Sequence, residues 1–347
     1  VEVGLTRYIV RRVLQAIPLL FIISVILFVL MSNMGDPLAT LGGRQPPRGE
    51  DRARLARQLG LDQPIYIQYV YWLVGNDWRQ VDVDGDGTPE TYGNRRGVLR
   101  GDWGTSLVTR RPVMEMIGQR LPNTLMLMLT AQIAILLVSL AIGVYSALRQ
   151  YSVVDNVVTA FSFIGYSMPI FWLALILIYV FAVNFKQMGL PYFPTGGMYD
   201  PVVGRTAGQL IWHMVLPVVS LSVISVAAYS RYVRASMLEV IGQDYIRTAR
   251  SKGLTGQVVL WRHALKNAAL PLVTLIGLDL PLLLAGAVVT ERIFAWPGMG
   301  RLFLDHVERT DIPVLMGILM MVSLAVVVFQ LLTDIAYTFL DPRIRYS

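Results

Sequence analysis

About six stretches of this chain are apolar over the roughly 20 residues that a helix needs to cross a hydrocarbon core. They run over residues 13–32, 123–148, 157–185, 211–233, 271–290 and 313–337. Lipid offers no partner to a backbone amide, so each run must satisfy its own hydrogen bonds as a helix. The sequence therefore predicts an all-α integral membrane protein. The first run, "VLQAIPLLFIISVILFVLMS", follows Arg7, Arg11 and Arg12. The positive-inside rule then puts the amino terminus in the cytoplasm. The run is longer than the core of a signal peptide and no small-x-small site follows Ser32, so it reads as an uncleaved anchor.

Alternation sets the remaining loops, and the charges of the short ones agree with it; the arginine-rich segment 33–122 falls outside, as long loops translocate largely regardless of charge. Arg149 follows the second run; Arg234, Arg247, Arg250, Lys252, Arg262 and Lys266 follow the fourth; Arg343 and Arg345 lie in the tail. All fall on the cytoplasmic side, as do both termini. The chain divides into a cytoplasmic N-terminus with the first span (1–32), an extracytoplasmic insertion (33–122), and a five-helix core (123–347) with a cytoplasmic loop at 234–270. The net charge of +7 does not indicate nucleic acid, because the basic residues are scattered among apolar runs rather than gathered on one face. A lipid bilayer with anionic inner-leaflet headgroups accounts for them. No cysteine is present, which excludes disulfides, thiolate metal sites and cysteine nucleophiles.

Within the insertion, "DRARLARQLGLDQPIYIQYVYWL" has helical spacing, with Gly60 placed to end one helix and Pro64 to begin the next. Further on, "DVDGDGTPE" sets Asp82, Asp84 and Asp86 at alternate positions before Gly87, like the start of a calcium loop. Thr88 offers a carbonyl and Glu90 another oxygen. The twelfth position, where a bidentate glutamate is expected, is Gly93, so the pattern is incomplete and a solvated Asp-Gly hairpin turn is the competing reading. All-oxygen ligands make Ca2+ the metal to test.

The segment "QDYIRTARSKGLTGQVVLWRHALKNAALP" is charged and basic between two apolar runs. Tyr245, Ile246 and Ala249 recur at helical spacing, with Arg247, Arg250 and Lys252 on the polar side and Gly253 placed to end the helix. A helix-turn-helix elbow of this kind is a rigid handle for a soluble partner. A basic loop lying on anionic lipid is the alternative.

"DYIRTARSKGL", followed at "HALKNAALP" by the start of a span, resembles the cytoplasmic coupling loop of ABC-transporter permease subunits in the dipeptide/oligopeptide branch. The superfamily's Glu-Ala-Ala triplet is replaced by Arg247-Thr248-Ala249, while Gly253 and Leu270-Pro271 keep their places. Other matching stretches are "TRYIVRRVLQAIPLL", "LGLDQPIYIQYVYWL", "GDWGTSL", "GYSMPIFWLALIL", "SRYVRASMLEV", "ERIFAWPGMGRLF" and "DPRIRYS". The stretch around Asp82 looks like an insertion relative to the usual pattern.

The resemblance implies the fold of a type I ABC importer permease in a bacterial or archaeal cytoplasmic membrane. It also implies a second related permease, two ATPase subunits that bind the loops, and an extracytoplasmic substrate-binding protein. Asp244, Tyr245, Arg247, Thr248, Ala249, Arg250, Lys252, Gly253 and Leu254 would carry the ATPase contact. Peptides are the implied cargo; nickel complexes, glutathione and sugars are handled by related subunits. ATP and Mg2+ would reside in the partner chains, and transport requires no cofactor in this one. The residues agree: a phosphate-binding loop needs Gly-Lys, and none of Lys186, Lys252 and Lys266 follows a glycine.

Three other classes fit less well. A secondary transporter calls for intramembrane ionisable relays and inverted repeats; only Asp279 stands out, and no repeat is visible. A membrane hydrolase calls for a nucleophile and base, and the histidines are His213, His263 and His306. A plain scaffold leaves the basic elbow unexplained. A charge at mid-span places Asp279 in the translocation pathway or against the partner permease. Pro18, Pro169, Pro217 and Pro281 are expected to kink their spans. "FAWPGMG" reads as a tight turn with aromatic anchoring at the membrane interface.

Overall fold

The computed structural model describes residues 2–35, 38, 49–89 and 91–340. Helices dominate them: α1 (Glu2–Ser32), α2 (Gly49–Leu59), α3 (Ile65–Leu73), α4 (Val113–Leu148), α5 (Val153–Ser167), α6 (Ile170–Leu177), α7 (Phe185–Gln187), α8 (Ala207–Ile241), α9 (Asp244–Ser251), α10 (Gly256–Val258), α11 (Lys266–Ala268), α12 (Leu270–Ile293), α13 (Met299–Val307) and α14 (Ile312–Leu340). The described strands, β1 (Gln80–Val81) and β2 (Thr91–Tyr92), form a two-stranded antiparallel hairpin. Five described helical segments are long and apolar enough to cross a membrane: Arg7–Ser32, Val113–Leu148, Ile170–Gln187, Ala207–Ile241 and Ile312–Ala336. The 24 residues of α12 extend about 36 Å at helical rise, enough for a sixth.

The span expected over 157–185 is corrected. The chain folds there as two helices, α5 and α6, broken at Met168 and Pro169, which are both extended. Proline drives the residue before it out of the helical region, so Pro169 breaks the run rather than kinking it. Beyond the break a widened π turn over Ile178–Asn184 joins α6 to α7, making one rod over Ile170–Gln187. Pro18 and Pro217, by contrast, sit inside continuous helices.

The chain divides into two compact units. One comprises 1–11, 123–301 and 326–347. Its core joins Leu127 and Ala131 of α4 to Met214 and Leu221 of α8 around Trp296. A neighbouring cluster sets Leu173 and Leu177 against Leu216 and Phe294. Glycines let helices close up: a Cβ at Gly143 would meet the Ser230 carbonyl at 2.7 Å and strike the Val233 side chain. At the end of α8, Arg234 grips Asp155 with two bonds of 3.0 Å. Arg234 and the Tyr151 amide hold the Asp155 carboxyl below the usual carboxylate range. The fork ties the α4–α5 turn to the end of α8.

The other unit comprises 12–122 and 302–325. Gly60, at φ +71, ends α2 in a Schellman motif, with Gly60 N–H on the Arg57 carbonyl and Leu61 N–H on that of Ala56. Pro64 caps α3. Tyr69 of α3 meets Phe28 of α1 edge-on, Trp72 lies tilted against both rings, and the Tyr69 hydroxyl bonds Ser24 at 2.8 Å. Ser106 Oγ and the Leu107 amide both donate to the buried Asp311 carboxylate. His306 Nδ1 bonds its own helix at the Leu302 carbonyl. The serine hydroxyl is therefore bonded to the aspartate, and His306 Nε2 lies 3.8 Å from the same carboxylate.

Candidate functional site

The basic elbow is built by two helical pieces and one glycine. Along α9, Ile246 and Ala249 are buried while Asp244, Arg247, Thr248 and Arg250 face outward. Tyr245 is also exposed, and its hydroxyl accepts a bond from Asn267 Nδ2 at 3.1 Å, pinning α9 to the returning helix. Thr248 Oγ1 donates to the Asp244 carbonyl, and Arg247 lies 3.6 Å from the Asp244 carboxylate. That ion pair is fully wetted and contributes about 0–1 kcal/mol.

Lys252 closes the helix and Gly253 follows at φ +78. Gly253 N–H reaches the Arg250 carbonyl at 2.9 Å and Leu254 N–H that of Ala249 at 3.4 Å, again a Schellman motif. No atom lies within 4 Å of where a Cβ at Gly253 would stand. The glycine is thus required by backbone conformation and not by close packing. Lys252, Gly253 and Leu254 form the exposed tip. The chain then returns through α10, a π turn over Val259–Leu265 and α11 into α12. Such a turn adds one residue to the helical register and is frequent at functional sites.

Asp279 lies half-buried on α12. Around the Asp-rich loop, one carboxylate oxygen from each of Asp82, Asp84 and Asp86 lies within 4.8 Å of the others. Asp82 accepts from the amides of Gly85 and Gly87, Asp84 from that of Asp86, and Asp86 from the amide and hydroxyl of Thr88. The Gly85 and Gly87 amides hold the Asp82 carboxyl below its ordinary range. Arg57 donates to the carbonyls of Val83 and Asp84, bracing the loop from α2. Glu90 lies outside the described residues, as does the "DPRIRYS" tail.

"FAWPGMG" is corrected in part. It is a tight turn, with Ala295 at φ +48, but Phe294 and Trp296 are both fully buried and so offer no ring surface for anchoring in lipid. Trp296 Nε1 donates to the Asn123 carbonyl at 3.0 Å, while Asn123 Nδ2 donates to that of Pro297 at 2.8 Å. Sequence reasoning passed over Glu291, which organises the turn. Its carboxyl oxygens accept from Thr124 Oγ1 at 2.6 Å and from the Arg301 amide at 3.0 Å. The Met299 amide donates to Thr124 Oγ1 at 2.7 Å. A Cβ at Gly298 would strike the Glu291 carboxyl. The available signal was a carboxylate at the end of an apolar run, seven residues ahead of a glycine after proline.

Two family models match the chain. Residues 139–346 match "Binding-protein-dependent transport system inner membrane component" and residues 5–128 match its N-terminal counterpart. The chain is 41% identical over 344 residues to the oligopeptide transport system permease protein AppB of Bacillus subtilis, covering 99% of this chain and all of that one. It is 36% identical to a probable peptide ABC transporter permease protein, y4tP, of Sinorhizobium fredii, covering 98% of this chain and 99% of that one. The same identity and shares are found with the dipeptide transport system permease protein DppB of Escherichia coli K12.

Proposed function

The chain belongs to the family of binding-protein-dependent transport system inner membrane components, and on that premise we propose that it is one of two permeases of an ATP-driven peptide importer. A permease of this family is a transport subunit and does not itself hydrolyse ATP. The observation that carries the reading is the elbow at Asp244–Ser251: a short amphipathic helix, pinned by Tyr245 and closed by Gly253, that presents Arg247, Arg250, Lys252 and Leu254. An ATPase subunit can grip it as one body. The peptide cargo follows the assignments of three relatives that match along essentially their whole length.

In this reading both termini and the elbow face the cytoplasm, which the arginines and lysines of the short loops support. The insertion at 33–122 caps the extracytoplasmic side and receives the loaded binding protein. A second related permease completes the pathway, and two ATPases engage the paired elbows. Asp279 lines that pathway. The test is purification of the complex with its partners and reconstitution into liposomes. Vanadate-sensitive ATP hydrolysis stimulated by loaded binding protein, with peptide accumulating inside, is the expected result. Accumulation driven by an ion gradient without ATP would overturn it.

We also propose Ca2+ for the Asp82–Asp84–Asp86 loop, where three carboxylates converge and the donors are all oxygen. Protein stripped with a chelator should show a thermal shift on Ca2+ addition. A ligand at 100 times its Kd stabilises by about 2.7 kcal/mol. Asp84→Asn should remove the shift. No heat and no shift in the unsubstituted protein would reduce the loop to a hairpin turn, and transport would be unaffected.

A further inference from the structure

In the unit formed by 12–122 and 302–325, two membrane-length helices end at one cavity. Its volume is about 610 Å³, within the roughly 300–1,000 Å³ of small-ligand pockets. Phe28, Met31 and Ser32 reach it from the end of α1, and Ile312, Pro313 and Met316 from the start of α14. These helices carry the apolar segments Arg7–Ser32 and Ile312–Ala336, so the cavity sits at the level where two spans leave the hydrocarbon. Residues of α2 and α3 supply further walls. The rim is accessible, with Ser32, Arg52 and Ala53 exposed. The floor is apolar, with Trp72, Leu107 and Met316 buried.

The walls are pinned to one another. The Tyr69 hydroxyl ties α3 to Ser24 of α1 at 2.8 Å, and the Leu107 amide ties its loop to Asp311 at 3.0 Å. Two arginines line the cavity, Arg52 of α2 and Arg95 in the stretch after β2. Arg95 is held by its backbone: its amide donates to Asn76 Oδ1 at 3.0 Å, and its carbonyl accepts from the Asn76 and Asp77 amides at 2.9 and 3.2 Å. This clamp sets the guanidinium beside the start of α14. A Cβ at Gly104 would stand 3.4 Å from an Arg95 nitrogen and 3.9 Å from Pro313. Among the described residues the Arg95 guanidinium completes no hydrogen bond. Asp102 acts on it through charge alone, and the Asp102 oxygens already accept from the Arg96 and Gly104 amides. Among the described residues that line the cavity, none is acidic.

Two guanidiniums over apolar walls, at the level where spans end, match a molecule with an anionic head and a hydrocarbon tail. We propose that the cavity binds one anionic phospholipid drawn from the bilayer, with its phosphate on Arg95 and Arg52 and an acyl chain against Trp72 and Met316. Guanidinium N–H groups suit phosphate oxygens in pairs. A soluble anion gains nothing from the apolar floor, whereas every methylene buried there adds to affinity. The site requires only that the chain spans a bilayer, whatever cargo the importer carries.

The test titrates delipidated full-length protein in detergent with phosphatidylglycerol, and native mass spectrometry counts the lipid retained. Phosphatidylcholine with the same chains, whose head carries no net charge, is the comparison. One phosphatidylglycerol should bind more tightly than any phosphatidylcholine and should raise the unfolding temperature. Arg95→Gln should weaken that first site by about 10- to 100-fold, the factor carried by a hydrogen bond to a charged group, and Arg95→Lys should recover part of the loss. Ala53→Trp keeps both charges but fills the cavity from its exposed rim, so it should exclude the lipid while lipid-free protein unfolds at the unsubstituted temperature. If Arg95→Gln fails to fold, Ala53→Trp decides alone. Four outcomes overturn the proposal. They are equal binding of the two lipids, a first site unchanged in both Arg95→Gln and Ala53→Trp, displacement by inorganic phosphate at equal concentration, and displacement by an apolar peptide with a free carboxylate. The third would leave a simple anion site, and the fourth would give the cavity to a peptide.

Discussion

Gly253→Val should leave the chain inserted and paired with its second permease, but ATP hydrolysis should no longer respond to loaded binding protein. The reason is conformational. Gly253 holds φ +78 with open space around its Cβ position, so no clash absorbs the substitution and the whole cost falls on the backbone. An L-residue in the left-handed region costs roughly 1–2 kcal/mol, more for a β-branched one. The helix it closes has only 8 residues, too few to be stable without its end motif and its packing. Losing the two Schellman bonds frees the tip formed by Lys252, Gly253 and Leu254. A cost of 1–2 kcal/mol changes the population of the closed elbow by a factor of about 5–30.

Gly253→Asn discriminates backbone from side-chain effects, because asparagine tolerates the left-handed region. It should retain most of the coupling that valine abolishes. Unchanged stimulation and uptake in the valine variant would mean that the elbow is a surface loop and does not take hold of the motor. Equal loss in valine and asparagine variants would point to direct contact at the tip, where any side chain obstructs the ATPase.

The residues that were legible in the sequence are those whose role is local. Gly60 and Gly253 each end a helix because the chain turns through positive φ there, and glycine announces that without reference to distant neighbours. The apolar runs were equally plain, since their length alone demands a membrane. The break at Pro169 was harder: a proline in an apolar run reads as a kink unless the residue before it is known to be extended. Trp296 and Glu291 were not legible at all. An aromatic near a proline turn at the end of a span has the composition of an interface anchor, and only the distant Asn123 and Thr124 turn it into a buried latch. Asp279 stood out as a charge in an apolar run, and the fold sets it half-buried on α12.

Glu291→Leu should cost the protein its fold where Gly253→Val costs it its coupling. The Glu291 side chain is fully buried. Its replacement strands the Thr124 hydroxyl proton and the Arg301 amide, which donate to the two carboxyl oxygens. Each buried donor left without an acceptor costs about 1–3 kcal/mol. Two of them amount to about 2–6 kcal/mol, against a typical total of about 5–15 kcal/mol. The loss also releases the Met299 amide, because Thr124 Oγ1 holds it at 2.7 Å only while the carboxyl fixes the threonine rotamer. Gly298→Ala attacks the same latch from the other side by placing a methyl where the carboxyl stands. Glu291→Gln keeps one oxygen acceptor and should cost less than leucine. Thermal unfolding in detergent and the yield of full-length protein in the membrane measure both effects, in the order leucine, then glutamine, then unsubstituted protein. Wild-type unfolding with lost uptake in Glu291→Leu would reverse the assignment, moving Glu291 from the latch that holds the turn after α12 onto α4 to the set of groups that peptide meets on its way through.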